Sequence, residues 1–306
     1  MGGINCYVRR NRRLQQVIDT IHFRQLELGD RDKLEQMETG IQDDYVIRIF
    51  DRLIEHKEHM IYGLFAGDQL VSVGGYTIFA EQYAMLGRLR TDIRYRGEGS
   101  ATKLLKHVLQ EIKKLDGINW VGGNTQRHNY SGMNVLNKLG LPELIDLHAS
   151  TVVDVEKLDT ETGPLWNEIS NVDEKMSWLE TLTQDPNTIF PYEAYYPFPV
   201  SPTLFKKENV KNWLLFKNTT EDRFLIVKED QKKYKYAQTI YLWDDLWEQP
   251  GLLKTISHAK HQLAQQTAED MYIRFDLTEK QRAMVPDEDA FNFQDPWVLH
   301  GKWLTR

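Results

Sequence analysis

A mixed α/β fold is what this sequence of 306 residues predicts: a twisted, mostly antiparallel sheet flanked by helices, followed by a second, smaller α/β domain of similar element order. Three observations carry that expectation. Short β-rich runs interchange with amphipathic helical stretches rather than gathering into separate blocks. The order hairpin, strand, helix, strand, helix, strand occurs twice along the chain, with no repeat at the level of residues. Between the two occurrences lies a segment with five prolines from Pro186 to Pro202. With 41% hydrophobic residues the chain can bury a core in each half.

Taken in order, "IHFRQLELGD" alternates as a half-buried strand does. Asp30 then offers an N-cap to a helical region, "RDKLEQMETGIQDDYVIRIFDRLIEHK", broken near Gly40. Two β-rich runs around Gly67 and Asp68 read as a hairpin. The strand "YAMLGRLRT" leads into "DIRYRGEGS" and then a helix with Leu104, Leu105, Val108, Leu109 and Ile112 on one face and Lys103, Lys106, Gln110 and Lys113 on the other. "INWVGGNT" follows as a strand, "SGMNVLNKLG" as a short helix stopped by Gly140, and "HASTVVDV" as a closing strand. In the second half, "NWLLFKN", "RFLIVKED" and "KYAQTIYLW" read as strands, "GLLKTISHAKHQLAQQ" as a helix, "MYIRFDL" as a strand, "EKQRAMV" as a short helix and "DPWVLHGKWL" as the last strand. The expected division is a basic leader over 1–22, a first domain over 23–155, a packed aromatic connection over 156–205 and a second domain over 206–306.

Charge and cysteine usage narrow the function classes. A formal net charge of -7 argues against a dedicated nucleic-acid binder, with the leader cluster Arg9, Arg10, Arg12 and Arg13 as the single exception. No apolar run approaches the roughly 20 residues that span a bilayer, and the basic start is not followed by the apolar stretch of a signal peptide. The sole cysteine, Cys6, excludes an intrachain disulfide and fits a reducing compartment, so a cytoplasmic location is expected. Position 6 is neither Ser nor Thr, which weakens a myristoylation reading of Gly2.

The chemistry concentrates in "YRGEGSATKLL". Arg96, Gly99 and Ala101 stand as RxxGxA, with Gly97 directly after the arginine. At a strand-to-helix turn, small residues let a pyrophosphate approach the backbone, successive N–H groups point at it, and the helix N-terminus adds about half a positive charge. No GKS or GKT follows the glycines and GxGxxG is absent, so neither a P-loop nor a dinucleotide fold is indicated.

These residues resemble motif A of the GNAT superfamily of acetyltransferases, [QR]xxGx[GA]. "NYSGMNVLNKLGL", residues 129–141, is similar to a second segment of that family, NxxAxxxYxKxGF. The resemblance covers residues 23–155 and implies an acetyl-CoA-dependent N-acetyltransferase acting on an amine of a small molecule or peptide. It also implies roles. Backbone groups of Thr91, Asp92 and Ile93 would pair with the pantetheine arm. Amides of Arg96, Gly97, Glu98, Gly99, Ser100, Ala101 and Thr102 would hold the pyrophosphate, and Asn129 would face the pantetheine or thioester. Transfer then needs a proton taken from the amine and one returned to the thiolate, whose ordinary pKa is about 8.5.

The family's tyrosine, the usual proton donor to that thiolate, falls at Leu136, which cannot donate. Tyr130, with His128 behind it, or a water would take that role. Glu81 or a water held by Asn124 would serve as base. Read without the resemblance, Tyr130 and His128 are surface or core-edge residues and Glu81 is a turn carboxylate. Arg88 and Arg90 alternate onto one face, where they would meet either an anionic acceptor or acidic partners. The corresponding turn of the second half, "YLWDDLWEQPGLLKTI", carries Asp244, Asp245, Glu248 and Pro250. Such acids would repel a phosphate, so this half is expected to bind no CoA and to cover a sheet edge, shape the acceptor cleft or support a homodimer. No metal site is expected. A second reading of the whole is a catalytically degenerate acyl-CoA-binding regulatory module, and a third is transfer to an RNA or ribosomal target through the basic leader.

Overall fold

The computed structural model describes residues 21–154, 157 and 163–305. The expected leader, with Cys6 and the arginine cluster, lies outside the described residues except for Ile21 and His22, which open the first strand. The chain divides into two units, and the division does not follow a single cut in sequence. One unit takes the described residues up to Gly123, then Ser131–Pro142 and the stretch from Gly301. The other takes Asn124–Tyr130 and Glu143–His300.

In the first unit, strand β1 (Ile21–Gln25) pairs with β2 (His59–Ala66), β2 with β3 (Gln69–Phe79), and β3 with β4 (Tyr83–Thr91), all antiparallel. Between β1 and β2 come three short helices, α1 (Arg31–Glu35), α2 (Tyr45–Arg48) and α3 (Phe50–Glu55). The region expected as a helix with one break near Gly40 is thus in pieces. Asp44 is the cap of α2, its carboxylate accepting from the Val46 N–H. After β4 comes α4 (Ser100–Ile112), then β5 (Trp120–Gln126), which runs parallel to β4, and α5 (Tyr130–Lys138).

Two cores sandwich this sheet. Leu104, Leu105, Val108, Leu109 and Ile112 of α4 pack on one face with Tyr76, Ala84 and Leu86, the face that the apolar spacing predicts. Ile61, Phe65 and Val73 face the other way, onto Leu34, Val46, Phe50 and Leu53 of the short helices.

The second unit begins with the strand expected to close the first. Strand β6 (Glu143–Val152) has its partners in this unit, β13 (Met271–Leu277) and the first half of β15 (Trp297–Trp303), which is why the division falls before residue 143 rather than at 155. The sheet runs β15-β6-β13-β12-β11-β10-β7, with β7 (Asn167–Ile169), β10 (Leu214–Lys217), β11 (Phe224–Gln231) and β12 (Lys235–Ile240), while β14 (Phe291–Phe293) also pairs β6. A short helix, α7 (Lys207–Val210), precedes β10, and the β12–β13 pair is parallel and is bridged by the 13-residue helix α8 (Leu252–Ala264).

The proline-rich connection is more regular than its composition suggests. It holds α6 (Val172–Thr181) and a two-stranded hairpin of β8 (Ile189–Glu193) and β9 (Tyr196–Pro199), in which Pro191 faces Pro197. Prolines lack the N–H that a central strand must donate, so this hairpin stands as its own small sheet. Among the described residues no helix is long and apolar enough to cross a membrane.

Candidate functional site

The first unit's anion turn is set up by a parting of strands. β4 and β5 are in register only from Tyr83 and Trp120 to Leu86 and Gly123. Beyond Leu86, β4 continues to Thr91 paired only with β3, so its edge toward β5 is open over 87–91. A single turn over Ile93–Tyr95 follows, then Arg96 and the two glycines.

Gly97 and Gly99 have φ of 85° and 76°, the left-handed region that residues with a Cβ enter at a cost of about 1–2 kcal/mol. A Cβ at either position would meet no atom of the described residues within 4 Å, so they leave the space above both free. Gly99 is the N-cap of α4 and brings no side-chain bond to it. The first N–H groups of a helix have no acceptor within the helix, and here they stand at the positive end of a 13-residue helix whose cap supplies none. Arg96 is exposed beside them, its guanidinium donating to the carbonyls of Thr39 at 2.5 Å and Thr91 at 3.4 Å.

Asp92 fixes this turn from below. Fully buried, it accepts from the Arg94 N–H and guanidinium and from the Glu38 N–H, and the hydrogen bonds and charge of Arg94 hold its carboxyl below the usual range. The N–H groups of Asp92 and Ile93 are engaged by the carbonyls of Val71 and Glu38. Of the three residues expected to pair with a pantetheine arm, two therefore have their donors spent inside the unit, and the open backbone lies one step earlier, at 87–91.

Glu81 lies before β4, away from the anion turn. It sits in the three-residue connection, 80–82, joining β3 to β4, with Ala80 and Glu81 both at positive φ and the Gln82 N–H bonded to the Phe79 carbonyl. That is the opposite end of β4 from the anion turn, roughly 30 Å away along a strand rising about 3.3 Å per residue. Leu136 is 6% exposed and lies on Gly123, where a Cβ would stand 2.7 Å from its Cδ2. The position where the family's tyrosine would fall is thus a packing position in this chain.

The remaining candidates belong to the second unit. Asn124 donates from Nδ2 to the Tyr195 carbonyl at 2.8 Å, and its buried Oδ1 has no hydrogen-bond partner among the described residues. Tyr195 has φ of 71° in the β8–β9 turn and lays its ring 4.3 Å from the Arg274 guanidinium. No local pattern marks Tyr195 in sequence, because its partner stands 71 residues away. Asn129 donates to Thr125 Oγ1 at 2.8 Å, Tyr130 is 76% exposed at the start of α5, and exposed His128 pairs with Asp295. Arg90 has taken an acidic partner, a buried bidentate pair with Asp44 at 2.6 and 2.8 Å.

The corresponding turn of the second unit has the same backbone and the opposite surroundings. Gly251, at φ 75°, caps α8 without a side-chain bond. A Cβ there would lie 2.0 Å from the Pro164 carbonyl oxygen, because the backbone of Gly163 and Pro164 crosses directly over it. Trp166 secures that crossing, its N–H on Thr255 Oγ1 and its indole N–H on the Pro250 carbonyl. Buried Gln281 donates to the carbonyls of Tyr241 and Trp243, just past the end of β12. The acids expected to repel a phosphate are mostly occupied: Asp244 pairs with Lys280, and Asp245 accepts from Tyr241, Gln249 and Arg223.

Residues 26–141 match the model of the acetyltransferase (GNAT) family, in the region where the motif resemblance placed it. No curated protein matches the chain. Among solved structures, a candidate acetyltransferase from Thermoplasma acidophilum is similar with a TM-score of 0.54 at 13% identity, covering 92% of this chain and 100% of that one. A GCN5-related N-acetyltransferase from Sphaerobacter thermophilus gives 0.51 at 12% identity, covering 92% and 95%. Both likenesses extend over the two units, and at such identities they speak of the fold.

Proposed function

We propose that the first unit transfers an acetyl group from acetyl-CoA to an amine of a small molecule or peptide. The observation that carries this is the uncapped N-terminus of α4 under two left-handed glycines whose Cβ positions are empty. Backbone amides from Gly97 to Thr102, with Arg96 beside them, form the pyrophosphate cradle, and the open edge of β4 at 87–91 receives the pantetheine as an added strand. The amine nitrogen attacks the thioester carbonyl, the C–S bond breaks, the amine proton leaves to a base and the CoA thiolate is protonated.

For the proton steps we assign a water on Asn124 Oδ1 as the base, since that oxygen is buried and has no hydrogen-bond partner among the described residues, and Tyr130 or a second water as the donor to sulfur. The second unit takes no CoA: its equivalent turn is closed by Gly163 and Pro164. The single cysteine supports a reducing compartment, the cytoplasm.

Calorimetry with acetyl-CoA followed by thiol release over a panel of amines tests the proposal. One bound acetyl-CoA per chain and turnover of at least one amine class are expected. Tight binding without turnover would instead identify a regulatory acyl-CoA-binding module, the reading that buried Leu136 favours. Absence of binding would sink both.

A further inference from the structure

Arg88 lies two residues beyond the last β4–β5 pair, at φ 58°, where the β3–β4 register is also displaced by a bulge. A non-glycine residue in that region is strained, and an arginine gains nothing from it conformationally. The distortion turns the side chain onto Thr77: Nη1 donates to Thr77 Oγ1 at 2.7 Å. The same hydroxyl is 3.0 Å from His59 Nδ1, so using each group once gives a relay from Arg88 through Thr77 to His59, with Nδ1 as acceptor.

That relay occupies only one corner of the guanidinium. Its Nε is buried and has no hydrogen-bond partner among the described residues, and Arg88 forms no ion pair there. Arg90, two residues on, shows the contrast, since the Asp44 carboxylate spans its Nε and Nη2 with two bonds. The same Nε–Nη2 edge of Arg88 has no such partner. No ion pair among the described residues supplies Arg88 with negative charge. Burial and then the nearby charges of Arg88, His56 and Arg52 keep His59 down at about 4, and His56 is ring-to-ring with His59 at 5.0 Å. A half-buried guanidinium beside a neutral imidazole and within reach of Arg52, with no counter-ion among the described residues, is costly unless a ligand supplies one.

We propose that the Nε–Nη2 edge of Arg88 receives the carboxylate of the acceptor, so that the acetylated amine belongs to an amino-acid-like molecule. The assignment rests on the acetyltransferase reading above and adds the acceptor's class to it. A planar carboxylate fits a planar fork with two parallel bonds, as Asp44 does on Arg90.

A product-like probe tests this without needing turnover. N-acetylglycine and N-acetylglycinamide differ only in the carboxylate, and His59 reports on Arg88 through Thr77. N-acetylglycine is expected to shift the His59 ring resonances and to bind at least 10-fold more tightly than the amide, and Arg88→Met is expected to abolish that difference. Thr77→Val, which removes the relay and leaves the guanidinium, should keep the affinity difference and lose the His59 shift. In kinetics, matched amino acids and their amides should differ by 10-fold or more in kcat/KM, a ratio that falls toward one in Arg88→Met. Equal binding of acid and amide, or a preference that survives Arg88→Met, overturns the inference. So does stronger binding of O-phosphoethanolamine than of the carboxylates. Loss of all amine turnover with the binding preference intact would count against the transferase reading alone.

Discussion

The turns before α4 and α8 are built alike and end differently. Each is a left-handed glycine capping a 13-residue helix, with no side chain taking up the first N–H groups, in a helix that joins two parallel strands. Above Gly99 there is space; above Gly251 the chain's own Gly163 and Pro164 stand where a ligand would stand in the first unit. Helix-terminal N–H groups need an acceptor in either setting. One unit leaves the turn uncovered by the described residues, as the proposed CoA site requires, and the other covers it with its own chain, so the same backbone differs according to what lies over it.

Adding a methyl group at each glycine separates these roles, and the largest effect falls on the closed turn. Gly251→Ala must leave the left-handed region or push back the Pro164 carbonyl, and should destabilise the second unit by about 3 kcal/mol, read as a fall in the denaturation midpoint. A loss under about 1 kcal/mol would show that the segment over Gly251 is loosely held and that the two turns are less different than they look. Next in size is Arg96→Glu. It exchanges a cation for an anion beside the open cradle and should weaken acetyl-CoA by about 10- to 100-fold in calorimetry, with stability changed by about 0.5 kcal/mol or less. An unchanged affinity would remove Arg96 from the cradle. Gly99→Ala comes third: about 1–2 kcal/mol of backbone strain, together with weaker acetyl-CoA binding as the free space narrows. If it lost stability as heavily as Gly251→Ala, the turn before α4 would be packed rather than open.

Much of the open turn was legible in the sequence. Its glycines, its arginine and the apolar face of α4 lie within one short stretch, and local spacing encodes local geometry. The closed turn was not, because what closes it comes from residues 163–166, about 85 positions before Gly251, and no spacing rule joins Trp166 to Pro250. The acids at 244 and 245 suggested exclusion by charge; the structure pairs them with Lys280 and Arg223 and closes the turn by contact instead. The shift of β6 into the second unit depends on strand pairing across more than 120 residues, which element order alone does not give.

The smallest expected effect concerns acid, and it also distinguishes the units. In the first, burial and then Arg88 hold His59 at about 4, below its ordinary 6.5, so the folded unit keeps the imidazole neutral. As pH falls from about 6.5 the unfolded chain takes up a proton that the folded one refuses, and stability drains away until about pH 4, by an amount of order 1–2 kcal/mol after allowance for solvent screening. Below that window Asp30, Asp44 and Asp92 add losses of the same sign, since each carboxyl is held below its usual range in company with an arginine. In the second unit burial raises Asp276 above the ordinary carboxyl value, so the folded state holds that proton to higher pH, and acidification through its folded pKa adds stability rather than removing it. Hydrogen exchange, corrected for the intrinsic pH dependence of the rate, should therefore show protection falling between pH 6.5 and 4.5 in β2 and β3 while β11 to β13 hold theirs. His59→Gln should flatten the first profile. Parallel loss in both units, or a profile unmoved by His59→Gln, would mean that the acid response of the molecule does not originate in the Arg88–Thr77–His59 relay.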